Sequence, residues 1–327
     1  MSLNAQIMTD HVITVRGDID PELLGFCQPH EHLFTAAGPA LRGNPALLID
    51  DEKKTAVDMD MYMRAGGCSV VDAQPVFTGR DACALKRISE KSNVYVIAST
   101  GFHNLIYYGE NNPFFDLDEE ELAAIFTKEL VVGMYDGHFY PGDTAKITWT
   151  DIRAGQIKTA LEKNFSPLHK KLFTAAAKAA KRTGAPVMIH VDRDADPIEL
   201  FDFLAGLGLG AERQIYCHFD RAVSDLSVHK EIAGAGAFLE YDTIARPKYH
   251  TNEVEIPIIL EMLNSGFSSR MLMSLDVTGA RLKGYGGVPG LDYILRDFIP
   301  ELNDVGVDEK TIHTIFVDNP AEVFSVT

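Results

Sequence analysis

Gln28-Pro29-His30-Glu31-His32-Leu33 is the stretch on which the reading of this chain turns. Two histidines stand two apart, directly after the apolar run Leu23-Leu24-Gly25-Phe26-Cys27. If that run is a strand, residues two apart share a face. Both imidazoles then converge at the strand's C-terminal end, which suits a borderline metal such as zinc. A lone His-x-His is weak support, because surface loops carry such pairs as well. Its weight depends on the context that the rest of the chain supplies.

Upstream, residues 11–22 open with His11-Val12-Ile13-Thr14-Val15-Arg16-Gly17. They read as a short alternating strand and turn leading into the first core strand. Downstream, one unit repeats: an apolar β-rich run, a loop, then an amphipathic helix. Eight such runs fall near 23–29, 69–73, 94–98, 154–159, 186–190, 214–218, 237–241 and 271–276. Continuous apolar runs indicate strands buried on both faces, as in parallel sheets. Between them, Leu172, Ala175, Ala176 and Ala179 form one helical stripe. Ile259, Leu260 and Leu263 belong to another, in a helix whose first turn accommodates Pro257. Gly66, Gly184 and Gly266 mark helix ends.

Eight βα units without a Gly-rich dinucleotide fingerprint predict a (β/α)8 TIM barrel rather than a doubly wound sheet. A single barrel domain over residues 1–327 is expected, since no low-complexity linker divides the chain. The composition, 46% hydrophobic and 24% charged, is that of an ordinary globular protein. A formal charge of −17 speaks against nucleic acid and anionic membrane surfaces as partners. Met1-Ser2-Leu3-Asn4-Ala5-Gln6 lacks the basic start and apolar core of a signal peptide. Cys27, Cys68, Cys83 and Cys217 are scattered, without a C-x-x-C pair, which fits a reducing, cytoplasmic setting.

In a barrel of this kind, chemistry sits at the C-terminal ends of the strands. The first run contributes His30 and His32, the fourth Lys158, the fifth His190, the sixth His218 and the eighth Asp276. Lysine in the strand-like Gly155-Gln156-Ile157-Lys158-Thr159-Ala160-Leu161 either snorkels to solvent or is buried with a partner. Burial lowers a lysine's pKa and opens a further route, carboxylation by carbon dioxide to an anionic bidentate ligand. Six candidate ligands exceed one tetrahedral zinc and suit two metals bridged by such a lysine. Two-metal sites activate a bridging hydroxide, and Asp276, beside the first strand in a closed barrel, is placed to accept its proton.

These motifs, in order, resemble the phosphotriesterase-like branch of the amidohydrolase superfamily. His30-Glu31-His32 is similar to that family's strand-one pair, and Arg153-Ala154-Gly155-Gln156-Ile157-Lys158 to its segment with the carboxylated lysine. His190, His218 and Asp276 match its remaining ligand positions, and Asn319-Pro320-Ala321-Glu322-Val323-Phe324 resembles its closing helix. The resemblance implies His30, His32 and Asp276 on one metal, His190 and His218 on the other, and Lys158 bridging both. Zinc is the expected metal, with manganese or cobalt as alternatives. It also implies a homodimer.

The loops bear on substrate. Tyr241-Asp242-Thr243-Ile244-Ala245-Arg246-Pro247-Lys248-Tyr249 follows the seventh run and Thr278-Gly279-Ala280-Arg281-Leu282-Lys283-Gly284-Tyr285-Gly286-Gly287 the eighth. In a chain this acidic, such clustered cations suggest an anionic substrate. The loops are similar to those of a subgroup that opens phosphorylated sugar lactones. The expectation is hydrolysis of a pentono-1,4-lactone 5-phosphate, with Arg246, Lys248, Arg281, Lys283 and Tyr285 as phosphate contacts. His103, after the third run, is a further substrate-contact candidate. A phosphotriesterase, neutral acyl-lactonase or arylesterase is the alternative, and a non-catalytic ligand-binding barrel a more distant one. The long irregular stretch 134–152 contains His138, Tyr140 and Trp149, candidates for a lid. His11, His169, His229, His250 and His313 are read as surface residues or as lying away from strand ends.

Overall fold

The computed structural model describes residues 10–327, so the Met1-Ser2-Leu3 start lies outside the described residues. Eight parallel strands run in sequence order around a (β/α)8 TIM barrel: β3 (Cys27–Glu31), β4 (Ser69–Asp72), β5 (Tyr95–Gly101), β6 (Gln156–Leu161), β7 (Val187–Val191), β8 (Gln214–Cys217), β9 (Phe238–Tyr241) and β10 (Met271–Met273). The last and first strands meet through Asp276 N donating to His30 O at 3.0 Å. Helices follow the strands on the outside, among them α1 (Glu52–Ala65), α2 (Ala82–Ser92), α3 (Glu119–Val131), α4 (Pro167–Thr183), α5 (Pro197–Gly206), α6 (Phe219–Ala222), α7 (Leu226–Gly234) and α8 (Asn252–Asn264).

The strands' period of two divides the core into two layers. Val70, Val96, Ile157, Val187, Ile189 and Leu239 pack outward against the helices. Cys27, Val71, Ile97, Met188, Ile215, Phe238 and Leu272 fill the barrel's interior. Continuing the inner column upward two residues at a time leads from Met188 to His190 and from Phe238 to Glu240. Lys158 shares this inward parity, because its neighbour Ile157 packs outward.

The N-terminal segment is more than the expected strand and turn. β1 (His11–Thr14) and β2 (Gly17–Ile19) form an antiparallel hairpin, and β11 (Ser325–Val326) pairs with β1. This small sheet lies by the barrel floor, where Val12 joins the inner core.

The apolar run before His30 is not the first strand. Pro21–Leu24 is a short 3-10 helix capped by Asp20, whose carboxylate accepts from Glu22 N at 2.9 Å. Gly25, at φ 56°, then turns the chain. The strand therefore begins at Cys27, with His30 inside it and His32 one residue past its end. Pro257 lies in the middle of α8 rather than in its first turn, on an exposed face. Gly66 and Gly184 end their helices in the left-handed conformation as expected, and Gly266 follows the cap residue Ser265.

The 134–152 stretch is closed on itself by Met134 N to Ile152 O (2.7 Å) and Asp136 N to Thr148 O (2.9 Å), and Gly79 N donates to its His138 O at 3.0 Å. Tyr140 packs on Phe77, and none of the segment lines the cavity described below. His169 and His229 are buried within α4 and α7, contrary to the surface reading. Among the described residues no helix is long and apolar enough to cross a membrane.

Candidate active site

A cavity of about 360 Å³ opens at the C-terminal ends of the barrel strands. His30, His32, His190, His218 and Asp276 line it. His30, His32 and Asp276 bring ligand atoms within 4.8 Å of one another. His32 Nε2 lies 3.5 Å and His30 Nε2 3.8 Å from Asp276 Oδ1. His218 Nε2 is 2.7 Å from His190 Nδ1. Lys158 Nζ is 3.1 Å from His30 Nε2. All six sequence candidates therefore share one small volume.

Backbone geometry supports a built site. His218 (φ 62°) and Asp276 (φ 50°) both stand in the left-handed region just past their strands. Few non-glycine residues adopt that conformation, histidine and aspartate more readily than most, and here it turns both side chains toward the site. Gly101, at φ 97°, ends β5 so close to β6 that a Cβ there would collide with the Lys158 carbonyl. That approach lets Phe102 N donate to Lys158 O at 2.8 Å, fixing the lysine's height in the barrel.

Carboxylates behind the imidazoles orient them. Asp242 Oδ1 accepts from His218 Nδ1 at 2.6 Å, and its Oδ2 lies 3.3 Å from His30 Nδ1. Glu240 Oε2 is 3.2 Å from the same His30 nitrogen, and Asp192 Oδ1 is 2.8 Å from His190 Nε2. These contacts leave His30 Nε2, His218 Nε2 and His190 Nδ1 turned toward the site, as carboxylate–histidine pairs do around metals.

Electrostatics agree with a cation-binding donor set. Burial lowers the pKa of His190 and, more strongly, of His218 and His103, so these imidazoles are neutral ligands or acceptors at neutral pH. Burial opposes ionisation of Asp276, yet the Arg246 guanidinium and His32 hold its carboxyl well below the usual range. Lys158 is fully buried, and its polar contacts among the described residues are His30 Nε2 and, at 3.9 Å, Cys217 Sγ. A buried amine facing an imidazole nitrogen, with no carboxylate partner, is unfavourable as it stands. An anionic modification of that amine together with cations between the two groups would satisfy both, so the residues fit a metal centre.

The cationic loops are arranged differently from the expectation. Arg246 lines the cavity and pairs with the Asp276 carboxylate, while its Nη2 donates to Asp276 O at 3.0 Å. His103 also lines it, stacked on Tyr107 with ring centroids 3.9 Å apart. Lys248, Arg281, Lys283 and Tyr285 are not among its lining residues. Arg281 is buried and donates to Ala245 O (3.0 Å) and Ile244 O (2.8 Å), tying the two loops together. Burial pushes its guanidinium down to about 10. Lys283 Nζ pairs with Asp292 at 2.7 Å, and Tyr285 OH accepts from Asp51 N at 2.9 Å. Lys248 is exposed, its Nζ 5.2 Å from the Tyr249 ring centroid. Three of the expected phosphate contacts thus serve as loop braces.

Other residues take their place. Arg221, Arg193, Tyr107 and Tyr249 line the cavity. Arg221 bonds Asp242 Oδ1 at 3.2 Å and Asp276 Oδ2 at 3.4 Å, and stacks on Tyr249. Arg193 is exposed at the rim and makes no ion pair among the described residues. Glu240 and Asp242 carried a legible signal: two carboxylates in an otherwise apolar strand end demand buried partners.

Asp242→Asn is expected to weaken metal binding by roughly 10- to 100-fold, because one carboxylate faces two candidate ligand imidazoles and sets their tautomers. Titration of metal-free protein with zinc, followed by calorimetry, measures it. Unchanged affinity would mean that Asp242 serves Arg221 alone.

Comparison with known proteins places this geometry. The sequence profile describing the phosphotriesterase family matches residues 10–324. A phospho-furanose lactonase of Mycoplasmopsis agalactiae is 27% identical, over 96% of this chain and 91% of its own. An N-acetyltaurine hydrolase of Danio rerio is 28% identical, over 94% of this chain and 96% of its own. The crystal structure of a lactonase from Listeria monocytogenes superposes with a TM-score of 0.87 at 29% identity, covering 97% of this chain and 99% of that one.

Proposed function

This chain belongs to the phosphotriesterase family and is a hydrolase, and from that premise we propose that it opens a phosphorylated pentono-1,4-lactone carrying a 5-phosphate. One observation carries the reading. The cavity is lined by five of the six candidate ligands and by Arg193, Arg221 and Arg246, in a chain of charge −17. A volume of about 360 Å³ suits a small anionic molecule.

Two divalent ions, zinc or else manganese or cobalt, would be held by His30, His32 and Asp276 and by His190 and His218. Carboxylated Lys158 would lie between them, and the pair would supply Lewis-acid polarisation and an activated water. The chain's own residues do the rest. Asp276 accepts the proton that the attacking water loses and passes it to the ring oxygen as the acyl–oxygen bond breaks, giving a hydroxy acid. Arg246 and Arg221 hold Asp276 ionised for that purpose. The stacked His103 and Tyr107 rings form an uncharged wall for the sugar ring. Among the described residues Arg193 has no carboxylate to release before it meets a dianion, so it is the phosphate handle of first choice.

A second reading has its own support. The similarity to the Danio rerio hydrolase points to an amide with an anionic sulfonate, which the same guanidinium groups would bind. A panel of phosphorylated lactones, unphosphorylated lactones, neutral aryl esters, a phosphotriester and N-acetyltaurine tests both. Turnover confined to phosphorylated lactones supports the proposal, and preferred turnover of N-acetyltaurine replaces it with the second reading. Arg193→Ala is expected to raise KM for the phospholactone roughly 10- to 100-fold and leave kcat largely intact. An unchanged KM would discard Arg193 as the handle.

A further inference from the structure

We propose that Glu31 is a positioning residue, whose carboxylate clamps the backbone on both sides of Asp276 and so aims that side chain into the site. The role assigned to Asp276 rests on the proposed hydrolysis; the clamp rests on geometry alone.

Glu31 lies between the two strand-one histidines and is fully buried. It does not line the cavity, whereas His30 and His32 do: a register shift between Gln28 and Glu31 resets the parity begun at Cys27, and alternation resumes from His30. Its side chain is thereby turned into the seam where the barrel closes. There Oε1 accepts from Leu275 N at 3.0 Å and from Ser274 Oγ at 2.8 Å, and Oε2 accepts from Val277 N at 3.0 Å. The residues immediately before and after Asp276 are therefore tied to one carboxylate.

The seam needs such a group. β10 ends at Met273, so Leu275 and Val277 have no strand ladder to receive their amide hydrogens. Buried N–H groups without partners are costly, and here a side chain supplies what a neighbouring strand would. Asp276 N itself donates to His30 O, and Ser274 Oγ also accepts from His30 N at 2.9 Å. Three consecutive amides and one hydroxyl are held around Asp276, which stands at φ 50°, in the left-handed region that aspartate tolerates better than most residues with side chains. A carboxylate has two acceptor atoms at the right separation, whereas a carboxamide has one acceptor and would turn an NH2 group toward an amide N–H.

Glu31→Gln is therefore expected to lower kcat roughly 10- to 100-fold with KM within about twofold, as displacement of a reacting group does. Hydrogen exchange should accelerate at the Leu275 and Val277 amides and stay unchanged in β6 and β7. Ser274→Ala, which removes one donor to Glu31 and the acceptor for His30 N, should move both readouts in the same direction by less at Leu275 and Val277, and it serves if Glu31→Gln does not fold. Wild-type exchange at 275 and 277 in Glu31→Gln overturns the proposal. So does uniform acceleration through the barrel, which marks a merely structural residue. The exchange pattern does not depend on which substrate is turned over. Wild-type protein inert toward the whole panel would sink the functional reading, and exchange alone would then decide the role of Glu31.

Discussion

Asp276→Asn is expected to lower kcat by roughly three orders of magnitude while the protein stays folded. Asparagine matches the aspartate in shape but accepts no proton, so the proposed transfer from water to the ring oxygen loses its carrier. Its amide oxygen still reaches the position 3.5 Å from His32 Nε2, which preserves part of the local arrangement. KM should change far less, because the substrate's anionic group is held by other side chains. A cost in stability accompanies the change. Arg246 and Arg221 both bond this carboxylate and lie within a mostly buried pocket, so removing it leaves two like charges facing each other. Steady-state kinetics with metal content measured on the same sample separates the effects. If fully loaded Asp276→Asn retains more than about a tenth of wild-type kcat, Asp276 is not the proton acceptor.

Lys158→Met should produce opposite changes in function and stability. Methionine is similar in length, carries no charge and cannot be carboxylated. Metal content is expected to fall from about two ions per chain to well below one, with activity lost alongside. Uptake by metal-free wild-type protein should depend on added bicarbonate, and uptake by the variant should not. The stability of the metal-free protein should rise, by roughly 1 to 3 kcal/mol, because a fully buried amine without an anionic partner is replaced by an apolar side chain. Denaturant unfolding of the two metal-free proteins measures that difference. A variant that still holds two metals would remove Lys158 from the centre. A variant less stable than wild type would make Lys158 an ordinary structural residue that contributes to folding.

Such a sign reversal is characteristic of groups retained for chemistry at a cost to the fold. Glu31 and Asp242 belong to the same buried layer, but each has hydrogen-bond partners that offset its burial, whereas Glu240 bonds His30 through Oε2 and has no partner at Oε1 among the described residues. Lys158 is the group in that layer whose geometry makes least sense without a bound cation. Its expected effects are correspondingly the largest of any residue that does not touch substrate.

Much of the architecture follows from local pattern. Continuous apolar runs separated by amphipathic helices specify parallel strands, and eight of them close a barrel. A period of two then carries Met188 to His190 and places Lys158 on the inner face, because each side chain's direction is set by its own backbone. That is why Lys158 and His190 were legible in a linear string, whereas His30 and His32 face inward only after a register shift in their strand, and His218 and Asp276 through left-handed backbone past theirs. The start of the first strand was not legible, since the Asp20 cap and Gly25 overrode an apolar run that reads as extended. The loops were less legible still. Arg281, Lys283 and Tyr285 stand near the barrel mouth in sequence, yet their side chains turn to Ile244 and Ala245, Asp292 and Asp51. Tyr285 and Asp51 are separated by 234 positions, and His30 and Glu240 by 210. In a loop without regular periodicity, a side chain's direction is decided by whichever distant partner satisfies it. The sequence by itself therefore determined the barrel and which candidate ligands meet at its mouth. Only the tertiary structure decided which cations face the cavity and which carboxylates hold the imidazoles, because those choices belong to contacts between segments far apart in the chain.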